Sequence, residues 1–136
     1  KNDFFNLMKT VVLCGSRRFE PELQAFGKTL KELGVVVYEP YLHSGQDEWE
    51  SFSQEYQKFI ALGLTHDHFY KIRMADVVFI FNKEGYMGNS TTLELGYAVA
   101  LSKPIYALSG QDSELCRHVL LREIISSPEE LLKKIQ

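Results

Sequence analysis

The sequence predicts an α/β fold, a doubly wound parallel sheet of five strands in the order 2-1-3-4-5 with helices on both faces, and three observations carry that reading. Short β-branched apolar runs stop at glycine or at polar loops, as strands buried on both faces do. Between them lie segments with apolar residues at helical spacing, and strands that alternate with helices run parallel. The chain has 136 residues, 45% of them hydrophobic, which suits one core and leaves too little length for two, so residues 1–136 are read as a single domain.

The first strand is Thr10-Val-Val-Leu-Cys14, ended by Gly15. From Glu22 to Leu33 the residues Leu23, Phe26, Leu30 and Leu33 recur at helical spacing, and Gly34 follows as a helix-ending glycine. Val35-Val-Val-Tyr38 is the second strand, closed by Pro40. Trp49, Phe52, Tyr56, Phe59 and Ile60 predict a helix from Asp47 to about Leu62, with a shorter one from Asp67 to Met74; the aromatic stripe is expected in the core, with stacking on a base as the competing role. Asp76 to Phe81 is the third strand, Thr91 to Leu101 a helix, Pro104 to Leu108 the fourth strand and Glu123 to Ser126 a short fifth. Pro128 then opens a last helix that runs to Ile135.

In that strand order the helices after strands 1 and 3 leave on opposite faces, so a crevice opens at the carboxyl ends of those strands and a ligand belongs there. The first loop, Cys14-Gly15-Ser16-Arg17-Arg18-Phe19, offers backbone N–H groups, a hydroxyl and guanidinium donors for phosphate or carboxylate, although a plain strand-to-helix turn reads the same way. The second, Asn82 to Glu94, brings two glycines and a run of hydroxyl and amide donors, Gly88-Asn89-Ser90-Thr-Thr, to a helix N-terminus. Glu94 stands one turn into that helix, where its carboxylate can point at the crevice floor. Thr91-x-x-Glu94 is also capping-box spacing, in which the glutamate bonds back to the Thr91 N–H, and both readings stay open. Asp76 likewise either orders the first loop or satisfies backbone donors.

The balance of charge narrows the partners. A net charge of −3 and a pI near 5.8 argue against a nucleic-acid polymer, whose affinity comes from clustered Lys and Arg, and leave room for a small anion. No apolar run reaches the ~20 residues that span a bilayer, and Lys1 to Lys9 lacks a signal-peptide core, so no membrane partner is expected. Cys14 and Cys116 lie far apart and fit reduced thiols, which points to the cytoplasm. His43, His66 and His68 do not make up the fuller ligand set of a tetrahedral metal site, so no metal or cofactor is expected. Ser16 has no nucleophile-elbow pattern around it, which disfavours serine hydrolase chemistry.

Taken together, Val12-Leu-Cys-Gly-Ser-Arg17, Ala75-Asp-Val-Val78 and Gly88-Asn-Ser-Thr-Thr-Leu-Glu-Leu-Gly-Tyr-Ala98 resemble the nucleoside 2-deoxyribosyltransferase family, which includes 2′-deoxynucleoside 5′-monophosphate N-glycosidases. The likeness runs from the Cys-Gly-Ser turn to Pro104-Ile-Tyr; residues 43–64 have no counterpart in it. It implies a Rossmann-like, flavodoxin-like sheet, a homodimer or higher homo-oligomer, and cleavage or transfer at the bond between a sugar and its base. By the same likeness Glu94 is the nucleophile at the anomeric carbon, and Gly15, Ser16 and Arg17 with Gly88, Asn89 and Ser90 form the 5′-phosphate site. Two positions depart from the family pattern: Val12 stands where a tyrosine is usual, and His68, beside Asp67 and His66, stands where an aspartate is usual, which makes His68 and Asp67 the candidate acid–base residues. The alternatives are a nucleotide-binding or sensing module of this fold without turnover, cleavage of another N-ribosyl bond such as that of NAD, or, more weakly, a receiver-like domain.

Overall fold

The computed structural model describes residues 9–41 and 46–136, so His43 and the expectation drawn from residues 1–8 lie outside it. Its five strands are all parallel in the order β2-β1-β3-β4-β5, as predicted: β1 is Val11–Gly15, β2 Val37–Tyr38, β3 Val77–Phe81, β4 Ile105–Ala107 and β5 Glu123–Ile124. The central pair, β1 and β3, runs in register from Val11 opposite Val77 to Gly15 opposite Phe81. Because side chains alternate along a strand, Val11 and Leu13 join one core with Val77, Phe79 and Phe81, while Val12 and Cys14 join the other with Val78 and Ile80.

Helix α1, Glu20–Glu32, covers the first face together with α6, Pro128–Ile135, through Leu23, Phe26, Leu30, Leu131 and Ile135. The second face is covered by α3, Gln54–Met74, and α4, Asn89–Ala100, through Ile72, Leu95 and Ala98. The helices that follow β1 and β3 therefore sit on opposite faces, and the crevice at the carboxyl ends of these strands follows from the topology.

Three elements differ from their predicted form. The two helices expected over Asp47–Leu62 and Asp67–Met74 are instead α2, Gln46–Ser51, and the continuous 21-residue α3. The break lies at Ser53, whose side chain accepts the Tyr56 N–H, and Gly63, in open space, costs only about 1 kcal/mol against alanine, too little to interrupt the helix around it. The second strand is shorter than predicted because Val35 is used elsewhere: its N–H donates to Leu30 O at 3.0 Å, and that of Gly34 to Lys31 O at 3.0 Å, the paired bonds that close α1. A short helix unforeseen in the sequence, α5 at Leu115–His118, precedes β5.

Asp76 acts at the far end of the sheet from the crevice. Its carboxylate accepts the Thr10 N–H at 2.8 Å and the Thr10 hydroxyl at 3.2 Å, fastening the start of β1 to the start of β3. Of the two roles open to it, satisfying backbone donors is the one observed.

The loop after β3 is braced from below. The buried Asn82 donates to Ser109 O at 2.9 Å and accepts from Ser109 N at 3.0 Å, which ties the carboxyl end of β3 to that of β4. Gly85 has φ of +80°, and a Cβ there would lie 2.6 Å from both Gln111 C and Asp112 N, backbone atoms that cannot swing aside. Gly85→Ala combines left-handed strain with overpacking and is expected to lose about 2–4 kcal/mol in urea denaturation, whereas Gly63→Ala gains a few tenths to 1 kcal/mol.

Candidate active site

The alternation along β1 that buries Val12 on the second face also sends Cys14 there, beneath the junction of α3 and α4. Two polar side chains meet it. His68, one turn before the buried Ile72 on α3, sets Nε2 3.3 Å from Cys14 Sγ. Glu94, on α4, sets Oε1 3.7 Å from the same nitrogen. The capping-box reading of Glu94 fails, because the helix begins earlier than predicted: Gly88 is the N-cap, Asn89 is the first helical residue, and Thr91 is already buried inside the first turn. The carboxylate is therefore free of its own helix end.

Above this cluster lies a crevice of about 160 Å³, lined on one side by Gly15 and Arg17, on another by Ser90, Leu93 and Glu94, and on a third by Leu64, Thr65, His68 and Phe69, with Pro40 and Tyr41 at the mouth. Ser90 and Glu94 share one face of α4 by their four-residue spacing, and so do Leu64 and His68 on α3. A Cβ on Gly15 would come within 2.7 Å of Leu23 Cδ1 and 3.1 Å of Phe81 O, so a larger residue there would have to push the Leu23 side chain and the end of β3 aside. The two arginines of the first loop part company: Arg18 stacks its guanidinium 3.7 Å from the centre of the Tyr86 ring, while Arg17 lines the crevice and has no ion-pair partner among the described residues. Tyr86 also meets Phe19 edge-on, and Lys83 pairs with Glu22 at 2.9 Å, so the loops after β1 and β3 hold each other in place.

Burial sets the charges. It pushes the Glu94 carboxyl up to about 7 from the usual 4.5, partly opposed by a hydrogen bond from the Cys14 thiol. It pushes the His68 ring down to about 4, with the Lys71 charge acting in the same direction and Asp67 and the Leu13 backbone against it. The ring has thus lost its proton before the carboxyl gives one up, so the 3.7 Å pair is not an ion pair: both groups are uncharged between about pH 4 and 7, and above that only the carboxylate is charged. His68 Nδ1 is buried without a hydrogen bond of regular geometry, and burial raises the Cys14 thiol well above its ordinary value.

Of the sequence-predicted residues, the structure brings Gly15, Arg17, His68, Ser90 and Glu94 to one crevice. Ser16 stands at its edge, its hydroxyl accepting the Arg18 N–H. Gly88 caps α4, with Asn89 exposed at the first position. Asp67 is not brought in: its carboxylate is 44% exposed and pairs with Lys71 at 2.8 Å. His66 packs against Phe69 on the helix surface, apart from His68. The aromatic stripe is not core either. No residue of α3 before His68 is buried, Tyr56 and Phe59 are 47% and 70% exposed, and with Tyr41, Ile60, Leu62 and Leu64 they border a shallow apolar groove beside the crevice. Sequence reading missed Cys14 as part of the cluster, although its parity on a strand buried on both faces was the available signal.

The family model described as nucleoside 2-deoxyribosyltransferase matches residues 11–127. Among solved structures, the chain is similar to a conserved protein from Enterococcus faecalis V583, at 16% identity and a TM-score of 0.62, covering 95% of this chain and 98% of that one. It is also similar to a 2-deoxyribosyltransferase from Bacillus psychrosaccharolyticus, at 18% identity and a TM-score of 0.62, covering 90% of each chain. At these identities both show the fold. No curated protein sequence matches the chain. No helix among the described residues is long and apolar enough to cross a membrane.

The raised Glu94 value carries a stability consequence whose sign is fixed. A carboxyl whose folded value, about 7, exceeds its unfolded value of 4.5 stabilises fully below about 4.5, and that contribution is lost as pH rises through 7. Glu94→Gln, which never ionises, is expected to match the wild type in chemical denaturation at pH 4 and to exceed it by up to about 3 kcal/mol at pH 8. A difference that does not change with pH would show that Glu94 ionises as freely folded as unfolded.

Proposed function

This chain belongs to the nucleoside 2-deoxyribosyltransferase family, and we propose that it cleaves the N-glycosidic bond of a nucleoside or nucleoside 5′-monophosphate with Glu94 as the nucleophile. The observation that carries the reading is the uncapped Glu94 carboxylate on the floor of a crevice whose opposite wall is the anion-ready turn of Gly15 and Arg17. The ionised carboxylate attacks the anomeric carbon as the bond to the base breaks, and the electron pair of that bond goes to the base nitrogen, which takes a proton from water. The transition state resembles an oxocarbenium ion, which a carboxylate in a poorly solvated site stabilises strongly. Water, or a second base, then takes the sugar from Glu94.

The other residues divide by position. Arg17, the Gly15 backbone, Ser16 and Ser90 hold the 5′-phosphate, with the free N–H groups of the α4 first turn behind Gly88 and Asn89 adding donors. Cys14, on the same face of β1 as position 12, brings its thiol beside Glu94 where a tyrosine at position 12 supplies a hydroxyl elsewhere in the family, since Val12 is buried in the core. His68, unprotonated at neutral pH, serves as a neutral neighbour that fixes the carboxylate rather than as an acid toward the base. Asp67 has no direct part and keeps Lys71 in place. The apolar groove at Tyr56 and Phe59 is the surface a second copy would cover, and the free thiols suit the cytoplasm.

The test is to incubate the protein with deoxynucleosides and their monophosphates and follow free base by chromatography. Base release is expected from the wild type and a loss of roughly 10³-fold or more from Glu94→Ala. Since only the ionised carboxylate attacks, kcat/KM should rise about tenfold per pH unit up to a limb near 7. An intact nucleotide that raises Tm while no substrate is cleaved would replace this reading with a binding module. For the oligomer, Phe59→Glu is expected to shift sedimentation toward the monomer; unchanged sedimentation of both proteins as monomers would remove the partner copy.

A further inference from the structure

Among the described residues, one group of potential metal ligands converges: Cys14 Sγ, His68 Nε2 and a Glu94 carboxylate oxygen all lie within 4.8 Å of one another. The nitrogen is 3.3 Å from the sulfur and 3.7 Å from the oxygen. A tetrahedral zinc with Zn–S of about 2.3 Å and Zn–N or Zn–O of about 2.0–2.1 Å holds its ligand atoms roughly 3.4–3.6 Å apart, so these side chains already stand near ligand spacing. We propose that Cys14, His68 and Glu94 form a three-ligand site for a zinc-type divalent transition ion, with its fourth position turned to the crevice.

The donor set selects the class of ion. One sulfur and one imidazole nitrogen favour zinc, cobalt or copper over magnesium or calcium, which take oxygen alone. The three donors come from β1, α3 and α4, elements locked by the second core, so little ordering is needed on binding. Position argues the same way. Cys14 is fully buried, beyond the reach of a substrate carbon, whereas an ion enters past the Glu94 side chain, 16% exposed and lining the crevice. A proton on the unpartnered Nδ1 of His68 leaves the Nε2 lone pair for the ion, and the Cys14 thiol proton leaves to solvent as the sulfur binds.

The ion would occupy the oxygen that attacks sugar in the proposed reaction, so metal and glycosidic cleavage exclude each other; this last consequence, unlike the site itself, rests on that reaction. The experiment is a cobalt(II) titration of the chelator-treated full chain, read by thiolate-to-cobalt absorption in the near ultraviolet, with zinc as competitor. One ion per chain at about micromolar affinity or tighter is expected. Cys14→Ser should abolish the band, His68→Gln and Glu94→Gln should each weaken binding at least tenfold, and Cys116→Ser should leave it intact. No band at millimolar cobalt, or a band that follows Cys116, overturns the site. If Cys14→Ser does not fold by circular dichroism, unchanged affinity in Glu94→Gln overturns it instead. A cobalt band with base release untouched at saturation keeps the site and removes Glu94 as nucleophile; base release without a band does the reverse.

Discussion

Everything at the candidate site depends on the burial of β1 from both sides. A strand in the middle of a parallel sheet sends alternate residues to opposite cores, so one residue of register decides which chemistry reaches which face. Leu13 goes under α1 and is a spacer. Cys14 goes under α3 and α4, where among the described residues His68 and Glu94 converge on it. The strand ends at Gly15, closely packed between Leu23 and Phe81, and the chain leaves the sheet where the crevice begins.

The same burial explains why the site is poised rather than inert. A carboxylate held in a dry wall loses hydration, and the molecule answers by holding Glu94 near 7 instead of supplying a cation to pair with it. Arg17 stays on the far wall and Lys71 is committed to Asp67 and to the Glu39 carbonyl, so among the described residues no lysine or arginine pairs with Glu94. An unpaired, dehydrated carboxylate is a stronger nucleophile and a stronger ligand than a salt-bridged one. The cost appears in stability above neutral pH.

Much of this was legible because it is local. The β-branched runs, the glycine, proline or polar loop after each, and the polar loop before Leu-Glu-Leu-Gly specify strands, turns and a helix start within a few residues of sequence, and the strand order follows from their alternation. What stayed hidden is long-range. Periodicity cannot say whether a face of apolar residues has a sheet beneath it, so Tyr56 and Phe59 read as core although α3 buries nothing before His68. Thr91-x-x-Glu94 has capping-box spacing, yet a start two residues earlier, at Asn89, turns the same spacing into an inward-facing glutamate. Asp67 and His68 are neighbours in sequence and nearly a third of a turn apart on the helix, which is enough to send one to solvent and the other to the core.

Val12 and Cys14 face the same core of the sheet and act on one site. Val12 offers no hydroxyl to that core, and a buried carboxylate left with no donor would be costly. Two residues on, with the same parity, Cys14 lies on the same face with its Sγ 3.3 Å from His68 Nε2, and burial leaves the His68 ring without charge at neutral pH. An aspartate there would set two carboxylates side by side in a dry site and drive one of them neutral. His68 and Cys14 avoid that repulsion and set nitrogen and sulfur donors beside the carboxylate. Beside Glu94, that sulfur and that nitrogen give the site the character of a soft-metal ligand set.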